Sequence, residues 1–261
     1  MRIELDGFDA YVEESGDGTP LVLVHGLGGC TATWQKVAGP LSASHRVVAY
    51  DLRGLGRSAT PPPPYSLGGL VADLRRLLDV LALERVAVVG HSLGGAVALS
   101  FAAQHPDRVG AVVGLAAPSV TPATERRALA ERADRARREG MATVASLHVS
   151  ALAESFRTAH PADTDAYEAI VAASDPVGYA AHCGVIAELD LAHELPAVRA
   201  LALLVAGELD HVVPVDRVRA TAAAIPDAEV VVLEGCGHVL PFERAREVVS
   251  LVLGRVGRPA P

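Results

Sequence analysis

Val86-Ala87-Val88-Val89, a run of β-branched and small apolar residues, breaks at Gly90-His91-Ser92-Leu93-Gly94-Gly95 and gives way to the helix-forming stretch Ala96-Val97-Ala98-Leu99-Ser100-Phe101-Ala102-Ala103. A continuous apolar run of this kind is a strand buried on both faces, as in a parallel sheet. Strand, sharp turn and helix together give Gly90-x-Ser92-x-Gly94 its meaning. A Cβ at 90 or 94 would strike the reversing chain, so the turn needs glycine on both sides of the serine. The turn lifts the Ser92 hydroxyl above the sheet edge. Backbone N–H groups opening the next helix then face any negative charge that develops there. A βα turn without chemistry has the same local pattern, so the question passes to the ends of the later strands.

The bulk composition narrows the classes. Half of the 261 residues are apolar, enough for a sizeable core, and the net charge of −8 argues against nucleic-acid binding or a polybasic membrane contact. The apolar stretches are strand-sized, and Met1 to Asp6 lacks a signal-peptide layout. Cys30, Cys183 and Cys236 are odd in number, with no C-x-x-C pair, which disfavours a disulfide framework or a zinc knuckle. The expectation is a soluble cytoplasmic protein with free thiols.

Ile3–Leu5 and Phe8–Val12 alternate around Asp6-Gly7, a hairpin signal. Leu21–Val24 reads as a central strand opening onto His25-Gly26-Leu27-Gly28-Gly29, and Arg46–Asp51 as the next strand. Ser66 caps a helix with Leu70, Leu74, Leu77, Leu78 and Leu81 on one stripe. Ala111–Leu115 follows as another strand. Strands alternating with helices predict a parallel α/β sheet of about eight strands, counting the antiparallel N-terminal hairpin. The rhythm stops between 120 and 187, where only helical, Ala- and Arg-rich sequence remains. The chain therefore divides into a core over 1–119, a helical lid over 120–187 and a second part of the core over 188–261. Strands return at Leu201–Gly207 and Glu229–Leu233, one amphipathic helix from about Pro241 to Leu253 closes the fold, and Arg258–Pro261 is expected to fray.

Ligands in parallel sheets bind beyond the carboxyl ends of the strands. Two late strands end in Gly207-Glu208-Leu209-Asp210 and Glu234-Gly235-Cys236-Gly237-His238. The order is serine, acid, histidine: Ser92, Asp210, His238. A serine hydroxyl is protonated at neutral pH and needs a base within hydrogen-bond reach. Histidine can take that proton and return it to a leaving group, and a carboxylate fixes its tautomer. Glu208 and Asp216 are fallback acids, Glu208 being the one that strand alternation turns away. Leu93 and Leu27, the latter flanked by Gly26 and Gly28, are the candidate N–H donors to an oxyanion. No Lys-Ser/Thr follows the glycines, so a phosphate loop is not indicated.

These motifs identify the chain as similar to the α/β-hydrolase superfamily over nearly its whole length: His25-Gly26-Leu27-Gly28, Asp51-Leu52-Arg53-Gly54-Leu55-Gly56-Arg57-Ser58, Gly90-His91-Ser92-Leu93-Gly94-Gly95, Gly207-Glu208-Leu209-Asp210 and Gly237-His238. Ser174-Asp175-Pro176-x-Gly178-Tyr179, then Cys183, resembles bacterial 3-oxoadipate enol-lactonases and their esterase relatives. The resemblance implies a serine hydrolase of small esters or lactones, the oxyanion donor at Leu27, a lid that sets specificity, and neither cofactor nor metal. Rival readings are a C–C bond hydrolase with the same triad and a small-molecule receptor that does not turn over.

Other residues have plainer expectations. Asp51 and Arg53 brace loops, Trp34 packs, and His182 and Cys183 belong to a packed helix. Cys236 is a small packing residue whose thiol makes the site sensitive to oxidation or alkylation. Glu131 with Arg135, and Arg135 with Glu139, are helical i,i+4 pairs on a solvated face. The sharper alternative turns one lid arginine inward to hold a substrate carboxylate.

Overall fold

The computed structural model describes residues 1–256, so the tail at Arg258–Pro261 lies outside the described residues. Strands β1 (Arg2–Leu5) and β2 (Phe8–Ser15) form the antiparallel hairpin, with Asp6 and Gly7 both at positive φ in the turn. β3 (Thr19–Val24) leads through a 3-10 turn to α1 (Gln35–Ser42), and β4 (His45–Tyr50) follows. α2 (Leu67–Val80) starts where the Ser66 hydroxyl accepts from Gly69 N at 3.1 Å. β5 (Val86–His91), α3 (Leu93–Gln104) and β6 (Val109–Leu115) complete the first part of the sheet.

Helices α4 (Ala123–Glu139), α5 (Ala142–Val149), α6 (Glu154–Ala159), α7 (Pro161–Ala172) and α8 (Pro176–Ala187) then intervene. β7 (Leu201–Gly207), α9 (Val215–Ala223) and β8 (Glu229–Leu233) return to the sheet, and α10 (Leu240–Glu243) and α11 (Ala245–Val256) follow. The eight strands lie in the order β1-β2-β4-β3-β5-β6-β7-β8, parallel from β4 to β8. The chain leaves β3 for β4 on one side and returns to β5 on the other. A crevice therefore opens beyond the carboxyl ends of β3 and β5.

Side chains alternate across the sheet and fill two cores. Val22, Val24, Val88 and Val112 pack with α2, α3 and α9, and the same cluster runs on into α4, α5, α7 and α8. Leu21, Leu23, Val89 and Val113 pack on the opposite face with Trp34, Val37 and Leu41 and with Val248 and Val252 of α11. No single helix among the described residues is long and apolar enough to cross a membrane.

Two expectations need correction. The closing helix is broken: Arg244 leaves helical geometry at φ −135°, ψ 44°, and the break turns Glu243 into the interior instead of along the surface. Glu131 pairs with Arg127, at 2.8 Å, and among the described residues not with Arg135, which pairs with Glu139 at 3.9 Å.

The motif at the start of α8 has a mechanical reason. Asp175 accepts from Val177 N and Gly178 N at 2.7 and 3.1 Å, capping the helix. Gly178 then lies so close to the loop after β4 that a Cβ there would sit 1.9 Å from Gly54 O. Gly178→Ala is expected to lower the unfolding free energy by about 2 kcal/mol or more, through forced separation of two backbones. Chemical denaturation measures it, and an unchanged midpoint would contradict this packing.

Candidate active site

Ser92 sits at φ 53°, ψ −117°, in the sharp turn between β5 and α3. Such a conformation costs a non-glycine residue of order 1–3 kcal/mol and persists only where its surroundings enforce it. They do so here. A Cβ at Gly90 would lie 2.1 Å from Gly94 O, one at Gly94 would lie 2.1 Å from Val24 O, and Ser92 N donates to Leu115 O at 2.9 Å.

His238 Nε2 lies 3.1 Å from Ser92 Oγ, and His238 Nδ1 lies 2.8 Å from Asp210 Oδ2. The other Asp210 oxygen accepts from Val212 N and Val213 N at 2.8 and 2.9 Å. Burial alone would raise the Asp210 pKa, but the His238 charge and these hydrogen bonds outweigh it and leave the carboxyl below its ordinary value. A carboxylate at Nδ1 makes that nitrogen the donor, so Nε2 faces Ser92 with a lone pair. The fallback acids lie elsewhere: Glu208 accepts from Gly235 N at 2.8 Å, and Asp216 is solvent-exposed beside Arg219.

The loop bearing His238 is held by residues that have no recognisable pattern in the sequence. The buried Glu243 carboxylate accepts from Gly237 N at 2.8 Å, Val239 N at 3.0 Å and Ala153 N at 3.0 Å. It thus grips the backbone on both sides of His238 and, through Ala153, the helical insertion. His238 N donates to Ala151 O at 2.8 Å. Burial, and then the proximity of His238, push His91 down to about 3, so its neutral Nε2–H donates to His238 O at 2.8 Å.

The loop after β3 is fixed by a histidine of definite tautomer. Leu52 N donates to His25 Nε2 at 2.9 Å, so Nδ1 carries the proton and donates to Gly26 O at 2.8 Å. Gly29 N donates to the same carbonyl at 3.1 Å. In a trans peptide the carbonyl and the next N–H point opposite ways. The Leu27 N–H is therefore turned away from His25. Among the described residues neither Leu27 N nor Leu93 N donates to a protein acceptor, and both residues line the cavity that holds Ser92.

That cavity has a volume of about 370 Å³ and is roofed by α4, α5 and α7. Ser174 of the insertion donates to Gly28 O at 3.2 Å, tying the roof to the loop after β3. Arg132 faces the cavity and, among the described residues, has no carboxylate partner, whereas Arg217, also in the wall, is held by Glu125 at 3.0 Å. The bracing residues behave as expected. Asp51 accepts from Thr31 N and Arg57 N, Arg53 pairs with Asp73 at 2.6 Å, and Trp34 is buried away from the cavity. His182 and Cys183 are buried in α8 and do not line the cavity.

The geometry can be set beside known proteins. Residues 19–245 match the alpha/beta hydrolase fold family. The chain belongs to that family. This α/β hydrolase is similar over 99% of its length, at 27% identity and TM-score 0.95, to the whole of an enol-lactonase from Burkholderia xenovorans LB400. An esterase from Thermogutta terrifontis, malate bound, matches at 27% identity and TM-score 0.92 over 98% of each chain. A 2-hydroxy-6-oxo-2,4-heptadienoate hydrolase of Pseudomonas putida is 41% identical over 119 residues, 44% of this chain and 43% of that protein. The chain spans 34% of the length of a Mycobacterium bovis relative at 40% identity and 43% of that hydrolase, less than half of either.

The expectation of a reactive Cys236 runs against its burial. Cys236 is fully buried, and burial, reinforced by Glu243, pushes its thiol well above the ordinary range. Burial likewise raises Cys183 to about 12 and the partly exposed Cys30 to about 11. Only thiolates alkylate, and burial disfavours that form at all three. Native protein treated with iodoacetamide at pH 7.5 should carry no label at Cys183 or Cys236 by mass spectrometry, and unfolding should expose both. Rapid labelling of native Cys236 would contradict this.

Proposed function

We propose that this protein is a serine hydrolase of small carboxylic esters or lactones, working through an acyl-enzyme. The reading rests on one observation: the chain of contacts from Asp210 through His238 to Ser92 ends in a cavity also lined by Leu27 and Leu93, whose amides have no acceptor among the described residues. Ser92 Oγ attacks the substrate carbonyl carbon as its proton passes to His238 Nε2. The carbonyl oxygen becomes an oxyanion held by the Leu27 and Leu93 N–H groups, each such donor being worth on the order of 3 kcal/mol in the transition state. Collapse breaks the ester C–O bond, and the leaving oxygen takes the proton from His238. Water then attacks the acyl carbon, giving its proton to His238. The acid departs and Ser92 regains its hydrogen.

Asp210 orients His238 and stabilises its charged form. The helices over 120–187 act as a lid upon the core formed by 1–119 and 188–261. The ligand is a small molecule, and no step calls for a metal or cofactor. Arg132, facing the cavity without a carboxylate partner, supports a substrate that itself carries a carboxylate. The enol-lactonase and the malate-bound esterase among its structural neighbours favour the same class. A C–C bond hydrolase with the same residues is the second reading, favoured by the likeness to the 2-hydroxy-6-oxo-2,4-heptadienoate hydrolase.

A panel of p-nitrophenyl esters, lactones and a vinylogous diketone separates the two. Turnover of the diketone with none of the esters or lactones would overturn the ester reading, and a single acylation without turnover would mark a receptor. Ser92→Ala is expected to lower kcat by about 10^4-fold or more, and Asp210→Asn by about 10^4-fold. Residual activity within tenfold of the parent in either variant would remove that residue from its role. Arg132→Met should lower kcat/KM for mono-p-nitrophenyl glutarate relative to p-nitrophenyl pentanoate by about 10- to 100-fold. An unchanged ratio would remove Arg132 from carboxylate binding.

A further inference from the structure

The insertion carries a polar cluster that the reaction above does not use. His148 Nε2 lies 2.7 Å from the Tyr179 hydroxyl, and His148 Nδ1 lies 3.5 Å from the Tyr167 hydroxyl. Tyr179 and Tyr167 are buried, while His148, Tyr167 and Arg132 all border the cavity with Ser92. The ring also lies beside the loop that bears Leu27, since a Cβ at Gly28 would be 3.5 Å from His148 Cε1.

The short contact with Tyr179 decides the tautomer. The Tyr179 hydroxyl lies 2.7 Å from His148 Nε2, against 3.5 Å between Nδ1 and the Tyr167 hydroxyl. A phenol hydroxyl is a stronger donor than a neutral imidazole N–H, and an imidazole nitrogen is a stronger acceptor than a phenol oxygen. The Tyr179 hydroxyl therefore donates to His148 Nε2. Burial, then Arg132, His238 and His91, hold the His148 imidazole down at about 3, so it is neutral and its single proton sits on Nδ1. Among the described residues that Nδ1–H meets only Tyr167, at the outer limit of a hydrogen bond. A fixed, under-used donor therefore stands in the cavity wall near the loop that carries Leu27.

We propose that His148 selects the acyl group: its Nδ1–H donates to an oxygen that the substrate carries a few bonds from the scissile carbonyl. Acyl groups with an ether, hydroxyl or ring oxygen there are preferred to hydrocarbon chains of equal length, which leave the donor unpaired. This deepens the ester and lactone reading and rests on it. It does not depend on Arg132, because the distinguishing oxygen is uncharged.

The test compares kcat/KM for p-nitrophenyl methoxyacetate with butanoate, and for 3-methoxypropanoate with pentanoate. Each pair differs by one oxygen in place of a methylene. Intrinsic reactivity cancels when the ratio within a pair is compared between parent and variant. His148→Phe should lower the ratio about tenfold in at least one pair, Tyr179→Phe should lower the same ratio by releasing the tautomer, and His148→Asn should restore part of it with an amide N–H. Equal loss on both members of each pair, or an unchanged ratio, would overturn the proposal. The 15N spectrum of the imidazole at pH 7 needs no turnover, so it separates this inference from the hydrolase reading. Protonated Nδ1 and bare Nε2 at His148 are expected, and the opposite tautomer would sink the selection step whatever the activity.

Discussion

The 3.1 Å contact between Ser92 Oγ and His238 Nε2 joins segments 146 residues apart, and each side must be held from behind. On the serine side the restraint is steric. The backbone at Ser92 is strained, and Gly90 and Gly94 leave the room that lets the strain persist. On the histidine side it is electrostatic. A short loop after β8 has little regular structure of its own, and a buried carboxylate, Glu243, satisfies amides on both sides of His238. Such a carboxylate is costly to bury unless its hydrogen bonds are complete, so it also locks the geometry that completes them.

The same bonds make the helical insertion more than a cover. Ala153 shares Glu243 with the His238 loop, Ala151 O receives His238 N, and Ser174 holds Gly28 O next to Leu27. The end of α5 is thus tied to the loop bearing His238, and the start of α8 to the loop proposed to bind the oxyanion. α4 carries the wall residues Leu129 and Arg132 without any of these bonds.

Local chemistry made much of this legible. The Asp6-Gly7 turn, the Ser66 cap and the leucine stripe of α2 follow from rules that operate within a few residues, and the structure has them where those rules put them. The order of Ser92, Asp210 and His238 could be read because each follows a strand of one parallel sheet. Strand alternation set Asp210 ahead of Glu208, whose carboxylate turns back to Gly235. Glu243 and His148 were out of reach for a common reason. Their partners are backbone amides and tyrosines on other elements, and neither residue sits in a periodic pattern. Glu131 choosing Arg127 over Arg135 is a weaker case, since exposed pairs on one helix face differ by only tenths of a kcal/mol.

The central claim is that Ser92 alone is activated by this arrangement, and covalent capture tests it most directly. The folded protein is treated with a fluorophosphonate ester and analysed by peptide mass spectrometry. One adduct per chain on the peptide containing Ser92, lost when the protein is unfolded before treatment, is the result the geometry predicts. No adduct, or adducts spread over other serines at equal rates, would contradict it.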